Sequence, residues 1–174
     1  MKKTDDNLKT AFSGESQARN KYDYFAKVAK KEGHLYIAKV FEETAINEMQ
    51  HAKEEFKLLN GIGDTAKNLK EAIKGEHYET EDMYPVFSKE AEAEGNKEAA
   101  KLFADIGKVE KHHEERFKKL LKMVEYGTAF KREKPIRWKC MKCGHIHEGV
   151  MPPEKCPTCD HPREYFEPED MCSL

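Results

Sequence analysis

The chain has 174 residues and a net charge of −2, from 31 lysine and arginine residues against 33 aspartate and glutamate residues. Because both signs of charge are spread along the chain, we expect no basic surface for nucleic acid or anionic membranes. The N-terminus has no apolar run after its first lysines, and no window approaches the about 18 apolar residues of a membrane-spanning helix. We therefore expect a soluble, cytoplasmic protein without nucleic-acid or membrane partners.

Four segments with a helical pattern fill the first part of the chain, separated by breaks at 33–36, 60–66 and 94–98. Apolar residues recur at spacings of three and four in every segment, which places them on one face of a helix. Four amphipathic helices of this kind predict a mainly α fold built on an antiparallel four-helix bundle.

Ionisable residues interrupt each of these apolar stripes near its middle. A buried carboxylate without a counter-charge is costly, and the stripes carry too few cations to match their acids. The pattern therefore predicts a bound cation inside the bundle. The interrupting residues are Glu15 in the first segment, Glu48 and His51 in the second, Glu76 in the third, and Glu110 and His113 in the fourth.

The second half of the helical region repeats the first at an offset of 62 residues. The Glu-x-x-His motif at 48–51 matches the one at 110–113, whereas Glu15 and Glu76 are 61 residues apart. Each copy offers one glutamate and one Glu-x-x-His motif, whose two ligands lie on one helix face and can bind one ion. Two facing copies predict a two-metal site. Its oxygen and nitrogen ligands favour iron or manganese over structural zinc, although zinc can enter such sites.

Other polar residues lie close to these positions. Glu79 is three residues after Glu76 and is either a seventh ligand or an acid outside the metal site. Tyr22 and Tyr84 are one or two helical turns from the acids, so they are packing aromatics or hydrogen-bond donors to the carboxylates. Pro85 should interrupt the third helix just beyond the ligands. The residues of the fourth helix that lie off its stripe are expected to face solvent: His112, Glu114 and Glu115.

The cysteines are confined to the end of the chain. Two Cys-x2-Cys motifs separated by twelve residues indicate a tetrathiolate site for zinc or a single iron. Asp160 follows the last of these cysteines where glycine is often found, and aspartate tolerates the left-handed backbone conformation better than most residues. Cys172 has no partner spacing and is expected to be a tail thiol. The predicted ligands are Cys140, Cys143, Cys156 and Cys159.

The composition of the chain changes near the same place, because six of the seven prolines lie at or after Pro135. We predict a four-helix domain over residues 1–130, a linker over 131–136 and a small metal-binding domain over 137–174.

With both kinds of motif in place, the chain resembles the rubrerythrin family along nearly its full length. The resemblance implies a ferritin-like di-iron domain followed by a rubredoxin-like domain with one iron on four cysteines, and no haem. By position it makes Glu15, Glu48, Glu76, Glu79, Glu110 and His113 the di-iron ligands, with His51 as the ligand that exchanges with the redox state. The stretches that carry it are AFSGESQARNKYDYF (11–25), NEMQHAK (47–53), GEHYETEDMYP (75–85), VEKHHEERF (109–117) and the double cysteine motif.

The resemblance also implies an activity. Family members act as peroxidases that reduce hydrogen peroxide to water in defence against oxidative stress. Their electrons come from NAD(P)H through a reductase, often by way of rubredoxin, and pass through the tetracysteine iron. Family members pair as dimers, so a homodimer or a higher oligomer is expected.

Two other interpretations use the same residues. A ferroxidase or iron-storage protein would use the same bundle with dioxygen as the oxidant, but it would leave the C-terminal domain without a role. A non-enzymatic protein with a zinc ribbon would leave the inward-facing acids and histidines unexplained.

Overall fold

A computed structural model describes residues 3–169 of the chain. The described chain is mainly helical, with a small three-stranded sheet at its C-terminal end, and it forms two compact units that divide between Gly63 and Asp64. None of the described helices is both long enough and apolar enough to cross a bilayer. The elements are α1 (Lys3–Lys31), α2 (Leu35–Leu58), α3 (Thr65–Tyr78), a π-helical turn (Glu79–Met83), α4 (Tyr84–Ala93), α5 (Lys97–Glu125), β1 (Ile136–Cys140), β2 (Ile146–Gly149), a 3-10 turn (Arg163–Tyr165) and β3 (Phe166–Pro168).

The first unit is a helical hairpin of α1 and α2. The two helices approach each other along buried alanines, because a small side chain at the contact lets two helix backbones come close. At one end of the hairpin the rings of Phe12 and Phe56 stack with their centroids 4.8 Å apart. At the other end Gly33, with φ of +84°, reverses the chain between the helices. The buried alanines are Ala26 and Ala29 of α1 and Ala38, Ala45 and Ala52 of α2.

The second unit contains the matching hairpin, in which α3 and α4 both pack on α5. Asp64 begins α3 by accepting a hydrogen bond from the backbone N–H of Lys67 at 2.8 Å. Further along, the Ser88 hydroxyl donates to the carbonyl of Ala100 at 3.0 Å, which joins α4 to α5. Helix α5 begins at an asparagine cap and runs without interruption to Glu125.

The π-helical turn between α3 and α4 explains a detail of the internal repeat. The two copies match at an offset of 61 residues up to Glu76 and of 62 residues from Tyr84 onward, so the second copy holds one additional residue between these positions. The turn Glu79–Met83 lies inside that interval, and a π-helical turn accommodates one extra residue in a helix. Pro85 lies in the first turn of α4, so the helix is interrupted where the sequence predicts it.

Glu114 corrects one expectation from the sequence, because it is buried rather than solvated. Only 5% of the residue is exposed, and its carboxylate lies 2.6 Å from Nζ of Lys118 and 3.0 Å from Nδ1 of His77. The pair with His77 links α5 to α3, and the pair with Lys118 lowers the pKa of Glu114. In the first copy the equivalent residue is the buried Ala52, so the second copy holds an ion-paired acid where the first holds a methyl group.

The C-terminal part has a core of its own beneath an antiparallel sheet with strand order β2-β1-β3. Trp138 of β1 is fully buried, and its indole N–H donates to the carbonyl of Gly149 at 2.9 Å. Cys140, Cys156 and Phe166 are buried against it. The large apolar side chains and two of the cysteines therefore form one small core.

The helices differ from this domain, because they bury only small side chains completely. Among the described helical residues, the buried ones are seven alanines and Glu114. Large apolar residues on both hairpins remain exposed, so each hairpin carries an apolar surface that its own two helices do not cover. On the predicted stripes these include Phe25 (46% exposed) and Ile37 (48%) in the first unit, and Val86 (49%) and Phe87 (40%) in the second.

Replacing Glu114 by alanine should destabilise the second hairpin by about 1–3 kcal/mol, because the change removes a buried acid that bridges two helices. The neighbouring Glu115 is exposed, and its replacement by alanine should change stability by less than about 0.5 kcal/mol. Urea unfolding followed by circular dichroism measures both values. Equal effects of the two substitutions would show that the buried pair contributes nothing specific.

Candidate metal centres

The first cluster of metal-binding groups consists of Glu15, Glu48 and His51. Helix α1 supplies Glu15, and α2 supplies the other two from positions three residues apart, which lie on one helix face. Each of the three offers a ligand atom, and these atoms all lie within 4.8 Å of one another. Nδ1 of His51 is 2.9 Å from Oε2 of Glu48. The cluster is large enough to hold one ion and small enough for all three side chains to reach it.

The second cluster repeats this arrangement with Glu76, Glu110 and His113. Helix α3 supplies Glu76 and α5 supplies the other two, and their ligand atoms again lie within 4.8 Å of one another. Nδ1 of His113 is 2.6 Å from Oε2 of Glu110 and 3.7 Å from Oε2 of Glu76. The sequence repeat is therefore also a repeat of geometry, and six of the seven predicted ligands fall into two equivalent groups of three.

Both clusters bring two carboxylates together in a way that favours a bound cation. The pKa of Glu15 is raised, first by a hydrogen bond with Glu48 and then by burial. The pKa of Glu76 is raised by burial and by a hydrogen bond with Glu110. Adjacent carboxylates repel when both are ionised, and one of them takes up a proton unless a cation is present. A metal ion removes this repulsion, so the donor set fits iron bound by oxygen and nitrogen.

Glu79 is not part of the compact second cluster. It begins the π-helical turn, and its charge is close enough to raise the pKa values of Glu76 and Tyr84. The extra residue of the second copy thus places an additional acid beside the cluster, with no counterpart in the first copy, where Gln17 and Ala18 occupy the equivalent positions. A direct role for Glu79 as a ligand stays a prediction.

The two predicted tyrosines lie among aromatic rings next to the clusters. Tyr22 packs on Phe41 with a centroid distance of 6.0 Å, and Tyr84 packs on Phe103 at 6.1 Å. Burial raises the pKa of Tyr84, as do the charges of Glu79 and Glu110. Hydrogen bonds from either hydroxyl to the acids stay a prediction.

Glu55 is a further acid that the sequence analysis did not assign to a site. Its Oε2 atom is buried without a hydrogen-bond partner, and its charge raises the pKa of Glu15. The signal was present in the sequence, because Glu55 lies on the same stripe of α2 as Glu48 and His51, one turn further on. The equivalent residue of the second copy is Phe117, so this acid belongs to the first copy alone.

The four cysteines of the C-terminal domain meet as the spacing predicts. Their sulfur atoms all lie within 4.8 Å of one another, with Sγ of Cys143 and Cys156 3.5 Å apart. Two similar turns hold them. In the first, Gly144 donates its backbone N–H to the carbonyl of Cys140 at 2.9 Å, and in the second Asp160 donates to Cys156 at 2.9 Å. Asp160 has φ of +57°, so it adopts the left-handed conformation expected from its position.

The polypeptide around the sulfurs favours thiolates unevenly. Burial opposes ionisation of Cys140, but hydrogen bonds from the backbone N–H groups of Cys143 and Lys142 outweigh it and lower the pKa of Cys140 to about 6. At Cys159 a hydrogen bond from the backbone of His161 favours the thiolate, but burial and the neighbouring sulfurs raise the pKa to about 12. Four thiolates so close together require a cation, and metal binding therefore releases protons.

The histidines near this site make other contacts. Nδ1 of His145 is 3.1 Å from the Thr158 hydroxyl, and the imidazole of His161 bonds the carbonyl of Cys159 at 3.0 Å. The metal-binding group in this domain consists of the four cysteines alone among the residues described.

Comparisons with known proteins agree with both sites. The family model for rubrerythrin matches residues 6–121, and the model for the rubrerythrin rubredoxin-like domain matches residues 138–167. Rubrerythrin-1 of Clostridium acetobutylicum is 48% identical over 182 aligned positions, covering 95% of this chain and 93% of the relative. Rubrerythrin of Nitratidesulfovibrio vulgaris is 44% identical, with the same coverage. A solved structure of partially reduced nigerythrin is 33% identical, with a TM-score of 0.38, covering 97% of this chain and 87% of that one.

Helices with paired Glu and Glu-x-x-His ligands, followed by a tetracysteine domain, define a class of non-haem iron proteins with a ferritin-like and a rubredoxin-like part. The chain belongs to the rubrerythrin family. The predicted fold class is thereby confirmed, and so are the predicted cofactors, a di-iron centre and one iron on four cysteines.

Replacing Cys156 by serine should remove nearly all of the visible absorption of the oxidised, iron-loaded protein, because the red colour of such a protein comes from ferric iron on four thiolates. Replacing His145 by alanine should retain the absorption, since the imidazole contacts Thr158 rather than the metal. Visible spectra and iron analysis measure both variants. A His145→Ala protein without colour would contradict closure of the site by the cysteines alone.

Proposed function

We propose that the protein is a peroxidase that reduces hydrogen peroxide to water, with electrons that enter through the tetracysteine iron. Family membership supports an iron-dependent oxidoreductase of the peroxidase type. The observation that carries the finer proposal is the combination, in one chain, of two carboxylate–histidine clusters with a tetrathiolate site. The first supply ligands for a two-iron reaction centre, and the second is suited to one-electron transfer.

The reaction consumes two electrons and two protons for each peroxide and yields two water molecules. When bound, the two irons supply the two electrons. We propose that Glu15, Glu48, Glu76, Glu79 and Glu110 hold them together with His113, and that His51 and Glu79 exchange at one iron with its redox state. Ferric iron prefers the harder carboxylate and ferrous iron accepts imidazole more readily, so the two states favour different ligands.

The residues around the clusters have a second task, which is to control protons. The raised pKa of Tyr84 keeps its hydroxyl protonated beside the acids, so Tyr84 can donate a hydrogen bond to an oxygen bound there. Tyr22 occupies the matching position of the first copy. We propose that both hydroxyls orient the carboxylates and stabilise the oxygen atoms of the substrate.

The tetracysteine domain offers a route for electrons. Cys140 and Cys156 are buried, whereas Cys143 is exposed, so a redox partner can approach the iron from the side of Cys143. We propose that the donor is a rubredoxin or an NAD(P)H-dependent reductase. The helical domain at 1–130 would then be the reaction domain, 131–136 the linker, and 137–174 the electron-transfer domain.

The reduced, iron-loaded protein should reoxidise at least about tenfold faster with hydrogen peroxide than with dioxygen, because the proposed reaction takes both electrons to one peroxide O–O bond. Anaerobic reduction followed by stopped-flow mixing with each oxidant, at the absorption of the ferric tetrathiolate, measures the two rates. The control is the Cys156→Ser protein, whose di-iron reaction must be followed by peroxide consumption. A faster reaction with dioxygen would support a ferroxidase instead.

Replacing His113 by alanine should remove about one to two irons from each chain, because the cluster loses a ligand that no neighbour replaces. His112 is the adjacent residue and is exposed, so His112→Ala should keep the full iron content and the peroxide activity. Iron analysis, together with the visible absorption as an internal count of the tetracysteine iron, compares the two proteins. Full occupancy of His113→Ala would contradict the proposed ligand set.

A further inference from the structure

We propose that each di-iron centre is shared by two copies of this chain, with the α1–α2 hairpin of one copy bound to the α3–α5 hairpin of the other. The inference rests on the ligand assignment under the proposed function. It follows from the exposed apolar surfaces of the hairpins, the division of the ligands between them and the length of the chain that connects them.

The ligands are divided evenly between the two units. Residues up to Gly63 contain the first cluster and residues from Asp64 onward contain the second. Each cluster has three ligand side chains, which is half of what a di-iron centre of this class uses. A complete centre therefore needs one α1–α2 hairpin and one α3–α5 hairpin, from the same chain or from two chains.

The apolar surfaces of the hairpins lead to the same requirement. Neither hairpin buries a large apolar side chain completely among the described helical residues. Phe25 and Phe41 of the first unit form an edge-on pair at 5.6 Å, and Phe87 and Phe103 of the second unit form an equivalent pair at 5.6 Å. Because these aromatic pairs lie on the same stripes as the ligands, the surface that completes the metal site also covers the apolar residues.

The connections between the helices decide which hairpins can combine. A ferritin-like bundle has one long crossover connection, because its second and third helices run in the same direction. In this chain α1 and α2 are joined by residues 32–34, α2 and α3 by residues 59–64, and α4 and α5 by residues 94–96. None of the three connections is long.

The connection between α2 and α3 is too short for a crossover. Helix α2 continues ten residues beyond Glu48, and α3 begins eleven residues before Glu76, which is about 15 Å and about 16 Å of helix on opposite sides of the metals. With the helix axes about 8–10 Å apart, the connection has to span about 33 Å. Six residues between the helix ends reach at most about 25 Å when fully extended.

One chain therefore cannot place its own second cluster opposite its first in a ferritin-like bundle, whereas two chains can do so by reciprocal exchange. Two copies related by a two-fold axis would form two complete bundles and two di-iron centres, and such a closed arrangement leaves no unpaired hairpin. The relatives have residues that this chain lacks. The alignment with the Clostridium acetobutylicum relative spans 182 positions, more than the 174 residues present here.

Complementation between two defective chains tests the proposal. The first variant, E48A/H51A, lacks the first cluster, and the second variant, E110A/H113A, lacks the second. The two full-length chains are expressed together with different affinity tags, and the mixed species is isolated by both tags in turn. If the centres are shared, one of its two centres combines both intact clusters, so the mixed species should contain about half of the wild-type di-iron content.

Each outcome of this experiment decides the question. Di-iron content near zero in the mixed species, with full content in the wild type, would show that each centre is built within one chain and would overturn the proposal. A failure to recover any mixed species would overturn it as well, because sharing requires two chains. Wild-type protein without di-iron would instead contradict the ligand assignment on which the inference rests, so the two failures are distinguishable.

A longer connection provides a second test that does not depend on defective chains. Insertion of about fifteen glycine and serine residues between Gly61 and Ile62 extends the reach well beyond about 33 Å. Inserted in both defective variants, it should abolish the complementation, and inserted in the wild type it should preserve the di-iron content. The matched control is the same insertion within residues 131–136, which should leave the complementation intact. Complementation that survives the insertion at 61–62 would contradict the role of the short connection.

Discussion

The structure depends above all on the mutual repulsion of carboxylates that the helices hold side by side. Glu15 shares a hydrogen bond with Glu48, and Glu76 shares one with Glu110. Such pairs destabilise a metal-free protein at neutral pH unless a proton or a cation intervenes. The histidines three residues after the α2 and α5 glutamates provide the nitrogen ligands on the same faces. The same repulsion that is unfavourable without metal therefore becomes the source of metal affinity.

The internal repeat shows how one template has been adapted twice. Both copies keep the three ligands, the tyrosine one or two turns away and the aromatic pair, whereas their other contacts differ. The first copy packs Phe12 on Phe56 and adds the buried acid Glu55. The second copy replaces the Ala52 position with Glu114, which pairs with a lysine and a histidine. It also carries the additional residue of the π-helical turn, which brings Glu79 beside its cluster. These differences make the two ends of a di-iron centre chemically distinct.

The C-terminal domain solves the burial problem in the opposite way. It is too small to form an extensive apolar core, so Trp138 and Phe166 pack directly against two of the cysteines, and the metal contributes to the stability of the fold. The helices reserve their large side chains for a surface that remains exposed, and they bury mainly alanine. A domain that carries its own metal and core can transfer electrons while the helical ligands rearrange.

The sequence by itself determined which residues could bind metal, because ligand identity and spacing are local properties. The i, i+3 spacing of Glu48 with His51, the repeat at 62 residues and the two Cys-x2-Cys motifs predicted the three clusters that the structure contains. Only the tertiary structure decided the features that depend on neighbours distant in the chain. Glu114 has the composition of a solvated helix face, yet the packing of α3 on α5 buries it beside His77. The π-helical turn was visible as a change of offset from 61 to 62 residues, but its position required the backbone path. The exposed apolar surfaces likewise emerged only when the helices were packed, because burial is a property of the assembled elements and not of any one helix.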